Sequence, residues 1–308
     1  MGRAVIAVAL CAVLGLASCD SPPPTGTPPA PSATPSPPPA ATASLAPARY
    51  PVGTREVTWA RGRDRPLRTV LFFPAVTTAD NPDPAPAPAW ITVRRDARPR
   101  PGRFPLVLFS HGLHGSPEGN TPAVASWAAA GFVVAAPAYP YTNRKADPYV
   151  RTDMVNQPAD AAYLLRKVIA LAGTRSDPLY GHINTSRIAA VGHSAGGFTT
   201  TGLFRPGHDR RLVAGVVIAG WMAPGRFGGP PARLLFLHAD NDKVIPIADG
   251  RAAYAEAPWP KRFVVLPGAT HAAFMRPDKP GYAAMDRTVT AFLRRTLNSP
   301  SPLTLTGR

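Results

Sequence analysis

The segment RIAAVGHSAGGF, Arg187 to Phe198, places a single hydroxyl, Ser194, between Gly192 and Gly196 directly behind an apolar run. Glycines on both sides permit a bend too tight for residues that carry a Cβ. A serine raised on such a bend, with a strand before it and a helix after it, is the G-x-S-x-G setting of a nucleophile. The same letters also describe a glycine turn with an incidental serine, so the remaining chain has to decide. A serine hydroxyl attacks poorly at neutral pH; it needs a base to take its proton and a third group to orient that base. The histidines after Ser194 are His208, His238 and His271. His208 lies in RPGHDRR, close to the serine and among charges, and His238 precedes the acid candidates and ends a strand-like run. His271, in VVLPGATHAAF, follows a strand and a glycine-containing loop, where a base can reach over a crevice, and it is the expected base.

The expected acid lies in LLFLHADNDKVIP, which offers Asp240 and Asp242 just beyond a strand. One can hold the His271 ring and stabilise its cation while the other shapes the loop. Asp242 is the preferred acid, with Asp240 as the alternative. An oxyanion forming on the substrate needs two backbone N–H donors. Ala195, at the start of the helix after the serine, supplies one. Leu113, in the loop HGLHGS that follows the run FPLVLFS, supplies the other, with Gly112 letting that backbone turn inward. Trp221, Tyr139 and Tyr141 follow strand-like runs and are candidate walls of a substrate pocket, or simply core aromatics. His111 and His114 are three apart, but no carboxylate or cysteine accompanies them, so no metal is expected. No cofactor is needed for this chemistry.

The elements that must position these residues alternate along the chain. REVTWA, LRTVLFFP, FPLVLFS, FVVAAP, RIAAVG, LVAGVVIAG, ARLLFLHA and RFVVLPG read as strands. Helices are predicted over Thr121–Ala130, Met154–Ala172, a short stretch from Ser194, Ile247–Ala255 and Tyr282–Leu297, with Pro158 marking a possible true first turn of the second. Apolar strands alternating with amphipathic helices predict a mostly parallel central sheet with helices on both faces, and the short connections leave little room for a large lid. ADNPDPAPAPAW, Ala79 to Trp90, reads as a surface loop.

The first residues carry a different signal. Arg3 precedes the apolar run VIAVALCAVLGLA, which is short for a membrane span, and the run ends in LASC, Leu16 to Cys19. Residues 1–18 are expected to be a lipoprotein signal peptide, with Cys19 the lipidated residue of an exported, membrane-anchored or released protein. Residues 19–48, rich in Pro, Ala, Ser and Thr, read as a disordered tether, 49–298 as the folded domain and 299–308 as a tail. Cys11 and Cys19 are the only cysteines, which excludes a disulfide framework or thiolate metal site in the domain. The formal net charge of +16 is carried mostly by arginine spread along the chain, with no basic block interleaved by aromatics that would indicate nucleic-acid binding.

Taken together, VLFSHGLHGS, WAAAGFVVAAP, VNQPADAAYLL, SRIAAVGHSAGGF, HADNDKVIP and GATHAAF resemble the α/β-hydrolase superfamily. They are similar to bacterial esterases labelled predicted dienelactone hydrolases, a group related to platelet-activating-factor acetylhydrolases and plant chlorophyllases. The resemblance runs from about Tyr50 to Leu297. It implies an α/β-hydrolase fold and a serine carboxylic-ester hydrolase acting through an acyl-enzyme on a small or lipid-like ester. Ser194, Asp242 and His271 would form its triad, and Leu113 and Ala195 its oxyanion donors. Dienelactone hydrolases proper carry cysteine where this chain has Ser194. Cutinases and polyester hydrolases are a further similar group, and they commonly carry an aromatic at the Leu113 position. Other readings of the same domain are a polyester hydrolase, an acyltransferase, a peptidase, or a non-catalytic envelope-binding lipoprotein.

Overall fold

The computed structural model describes residues 50–76 and 91–298. The expected signal peptide (1–18), Cys19 with its tether (19–48), the loop at 79–90 and the tail (299–308) lie outside the described residues. The strands are β1 (Val52–Ala60), β2 (Pro66–Pro74), β3 (Val93–Arg95), β4 (Phe104–Ser110), β5 (Val133–Ala138), β6 (Ile183–His193), β7 (Leu212–Ile218), β8 (Arg233–Ala239) and β9 (Lys261–Leu266). They form one sheet in the order β3-β1-β2-β5-β4-β6-β7-β8-β9. Only β2 runs against its neighbours, being antiparallel to both β1 and β5; the other pairs are parallel.

Side-chain alternation explains why the central strands are apolar throughout. In β4, Leu106 and Leu108 enter one core and Val107 and Phe109 the other. Both faces are covered, so neither parity of the strand can be polar. On one face lie α1 (Thr121–Ala129) and α5 (Tyr282–Leu297), which contribute Val124, Trp127, Met285, Val289 and Leu293. On the other lie α2 (Gln157–Leu171), α3 (Ala195–Leu203) and α4 (Ile247–Glu256), which contribute Leu164, Val168, Phe204 just past α3, and Ala253.

Three details differ from the sequence reading. β6 begins at Ile183, ahead of the predicted RIAAVG, because Ile183 already pairs with Phe104 before the register shifts. The helix predicted over Met154–Ala172 opens as a 3-10 turn, Arg151–Asn156, and α2 proper starts at Gln157 with Pro158 in its first turn. Proline is tolerated there because its missing N–H would have no helical partner. β3, only three residues long, carried no pattern to read.

The β1–β2 hairpin is tied to α2 by buried charge. Arg61 Nε donates to Asp160 Oδ1 at 2.5 Å, while Arg65 bonds Asp160 and grips both oxygens of Asp153 at 2.7 and 2.8 Å. Asp160 is fully buried, and two guanidiniums make that tolerable.

Asp286 of α5 has no such partner among the described residues. It is buried against α1, where its Oδ2 accepts from the Ser126 hydroxyl at 2.8 Å, and burial pushes its carboxyl up to about 6. In the unfolded chain the same group loses its proton near pH 4. The fold therefore keeps this contribution in full below about pH 4 and loses it as pH rises to about 6, by roughly 3 kcal/mol. Asp286→Asn cannot ionise, so its melting temperature relative to the parent should climb between pH 4 and pH 7. A pH-independent difference in thermal melts would refute this.

Candidate active site

Ser194 stands where β6 hands over to α3, with φ 58° and ψ −121°. A non-glycine residue at such a φ is strained and has to be held by its surroundings. Its neighbours show how. A Cβ on Gly192 would lie 1.9 Å from the Gly196 carbonyl oxygen, and one on Gly196 would lie 1.8 Å from that of Ser110. The elbow closes only because both positions lack a side chain. The Ser194 amide donates to the Ile218 carbonyl at 2.9 Å, which fixes the turn against β7.

His271 lies in the loop after β9. Its Nε2 is 2.9 Å from Ser194 Oγ and its Nδ1 is 2.7 Å from Asp242 Oδ2. An ionised carboxylate only accepts, so Nδ1 carries the proton and Nε2 presents its lone pair to the serine hydroxyl. Asp242 follows β8 and is buried. Burial alone would raise its pKa, but the amide of Ile245, the His271 ring and the amide of Val244 together outweigh that and hold it below the ordinary carboxylate value. Both amides bond Oδ1 at 2.9 Å, leaving Oδ2 for the histidine. Asp240 serves the loop instead, where its Oδ1 accepts from the Gly268 amide at 2.9 Å and pegs the segment that carries His271. His238, set aside as a base, sits behind the acid with Nε2 donating to the Ile245 carbonyl at 2.9 Å.

The loop after β4 passes directly over the serine, and a Cβ on Gly112 would lie 3.0 Å from Ser194 Cβ. The Gly112 carbonyl accepts from the Gly115 amide at 2.9 Å and from His111 Nδ1 at 2.7 Å. In a trans peptide N–H and C=O point oppositely, so the Leu113 N–H is turned away from those donors. His111 is buried; burial pushes its imidazole down to about 4, keeping it neutral, and its Nε2 accepts from the Tyr139 amide at 3.2 Å. Both ring nitrogens are thereby engaged, leaving His111 no lone pair for a metal. The amides of Leu113 and Ala195 have no acceptor among the described residues.

A cleft of about 340 Å³ opens beside Ser194 and His271, walled by Leu113, His114, Asn120, Arg144, Met275 and Arg276. His114 stacks on Tyr149 with ring centroids 3.8 Å apart, a flat aromatic pair at the rim. The three aromatics expected to line a pocket do not line this cleft. Tyr139 is fully buried, its hydroxyl 2.7 Å from Ser110 Oγ, because the β5 pleat turns it into the core beneath the loop that follows β4. Tyr141 donates its hydroxyl to the Asp64 carbonyl at 2.8 Å and lies under the Arg65 guanidinium. Trp221 packs on Phe198 with centroids 5.6 Å apart.

Sequence reasoning passed over His193. Its Nε2 donates to the backbone carbonyl of His271 at 2.8 Å, so the residue preceding Ser194 clamps the loop that carries His271. The only signal was an imidazole at the variable position of G-x-S-x-G. Arg144 lies in the loop after β5, Met275 closes a 3-10 turn soon after His271 and Arg276 follows it; none carried a local signal.

A family model described as PET hydrolase-like matches residues 124–301. No curated protein matches the chain. Among solved structures, a ferulic acid esterase from Streptomyces cinnamoneus is similar with a TM-score of 0.66 and 23% identity, over 86% of this chain and 95% of that one. At that identity the likeness is one of fold.

The two aspartates make a test of the geometry. Asp242→Asn should lower kcat on an activated ester about ten-thousand-fold, because an amide favours the wrong imidazole tautomer. Asp240→Asn, touching only the loop, should stay within about tenfold of the parent. Comparable losses in two folded variants would remove Asp242 from its assigned place.

Proposed function

Since this chain belongs to the PET hydrolase-like family, within the α/β-hydrolases, and is an ester-hydrolysing serine hydrolase, we propose that Ser194 is its nucleophile, His271 its base and Asp242 the orienting acid. The observation that carries this is the unbroken relay from Ser194 Oγ to His271 Nε2 and from His271 Nδ1 to Asp242, at 2.9 and 2.7 Å. As Oγ attacks the ester carbonyl, Nε2 takes the serine proton, and buried Asp242 stabilises the imidazolium. The carbonyl oxygen becomes an oxyanion facing the amides of Leu113 and Ala195, whose orientation is set before substrate arrives. The imidazolium then protonates the departing alcohol, leaving an acyl-Ser194. Water, deprotonated by the same nitrogen, releases the acid and restores the hydroxyl.

For the substrate we propose a compact ester with an aromatic acyl or alcohol part. Support comes from the size of the cleft, from the His114–Tyr149 stack at its rim, and from the ferulate ester cleaved by the similar fold. Polyester cleavage is the second reading, favoured by the family's description; Leu113 supplies no aromatic, and the His114 pair would have to serve in its place. We also propose that the protein is exported and held at the membrane through lipidated Cys19, a reading supported by the sequence LASC alone.

Hydrolysis of p-nitrophenyl esters from acetate to palmitate, of methyl ferulate and of an aromatic polyester film tests the catalytic reading. Activity should favour short and aryl esters and fall at least about ten-thousand-fold in Ser194→Ala. Persistence of turnover in that variant would rule out Ser194. In cells, Cys19→Ser should let a high-salt wash move the protein from the membrane to the soluble fraction, while the parent stays with the membrane; retention of both after the wash would overturn the anchoring.

A further inference from the structure

The sheet has two unlike ends. Because β2 is antiparallel to both β1 and β5, β1 points the same way as the parallel strands. Register then places the starts of β1, β4, β7, β8 and β9 at one end. Ser194, Asp242 and His271 follow the other ends of β6, β8 and β9.

At the end away from the cleft, a groove of about 490 Å³ runs between the first residues of β8 and β9 and the second half of α5. Leu234, Leu235 and Phe292 form its apolar floor, and its rim carries five cations: Arg233, Lys261, Arg262, Arg287 and Arg295. Among the described residues, none of the five lies within ion-pair distance of a carboxylate. Lys261 instead donates to the carbonyls of Ala255 and Ala257. Burial and the charge of Arg233 hold the nearby Arg187 guanidinium below its usual pKa, as expected where like charges crowd. Such a cluster costs the isolated domain and suggests a negatively charged neighbour.

The chain enters the domain at this same end. Tyr50 donates its amide to the Ala129 carbonyl at the close of α1 and packs its ring on Phe104, the first residue of β4. Tyr50, the first described residue, therefore lies at the end that carries the basic groove.

We propose that this end of the domain docks on an anionic phospholipid surface, seating the five cations among the headgroups and turning the cleft to the medium. The proposal extends the anchoring reading: the lipid brings the domain near the bilayer, and the basic end decides which way it faces. Cations close to an anionic bilayer attract it strongly only within a Debye length, about 8–10 Å, so a clustered rim counts for more than scattered charge. Esters taken up by a cleft facing away from the bilayer come from outside the cell rather than from the underlying lipid.

Binding can be measured without lipidation, which separates this proposal from the anchoring one. The chain from residue 19 onward, with Cys19→Ser, keeps every residue of both cores. It should co-sediment with phosphatidylcholine vesicles containing about one-third phosphatidylglycerol, but not with phosphatidylcholine alone, and should be released at high salt. Reversing Arg233, Lys261 and Arg287 to Glu should weaken binding at least about tenfold, with p-nitrophenyl acetate hydrolysis retained as the check on folding. Reversing Arg63, Lys145 and Arg226, exposed residues of equal charge outside the groove, should weaken it much less. Equal weakening by both triple variants would reduce the effect to net charge and overturn the proposal. So would an absence of vesicle binding, including the case in which a soluble polyphosphate binds the groove instead.

Discussion

The contact on which the site depends is between backbones. At Ser194 the chain reverses so tightly that the start of α3 lies against the end of β4 and folds back over β6, with no space for a Cβ at Gly192 or Gly196. This approach holds the serine in its strained conformation, and it also fixes where the loop over the serine can run. Gly112 lies against Ser194 because β4 and β6 are adjacent and in register, Ser110 opposite Gly192. The amides of Leu113 and Ala195 thus come from elements whose separation is set by sheet hydrogen bonds. Precision at the reacting centre is obtained from rigid neighbours rather than from the loops themselves.

Around that contact, Asp242, His111 and Tyr139 are buried near the serine and each has defined partners. Asp242 divides its oxygens between two amides and an imidazole. His111, neutral and buried, spends both nitrogens holding the loop that passes over Ser194. Tyr139 belongs to this support: its amide meets His111 and its hydroxyl meets Ser110. Removing water from these groups strengthens each bond and makes any unpaired one costly, so the surroundings of Ser194 and His271 tolerate little rearrangement.

What could be read from the sequence divides along physical lines. The buried strands were legible because two-sided burial leaves an unbroken apolar run, and α5 because its apolar stripe repeats at helical spacing. Ser194 and His271 were legible as a pair because the glycines around one and the strand-loop setting of the other are local patterns. The division of labour between Asp240 and Asp242 was legible only as a preference for Asp242. Both lie in one short loop, and only the arrival of the β9 loop shows that one meets an imidazole and the other a backbone amide. Tyr139 misled because an aromatic at a strand end looks the same whether the pleat turns it toward the crevice or into the core. The cleft walls were illegible because Arg144 and Arg276 meet only through tertiary structure.

His193 ties together two properties that could otherwise vary separately. Its ring stands beside the mouth of the cleft, where side chains would be exchanged to admit a new substrate, and it also fastens the loop of the base. A change there made for the sake of specificity reaches the alignment of His271 at once. Evolution at this position is pleiotropic: a lineage widening its substrate range would find position 193 closed until another donor took over the carbonyl of His271. The freer routes of adaptation run through Arg144, Met275 and Arg276, which border the cleft and have no hydrogen bond to Ser194, His271 or Asp242.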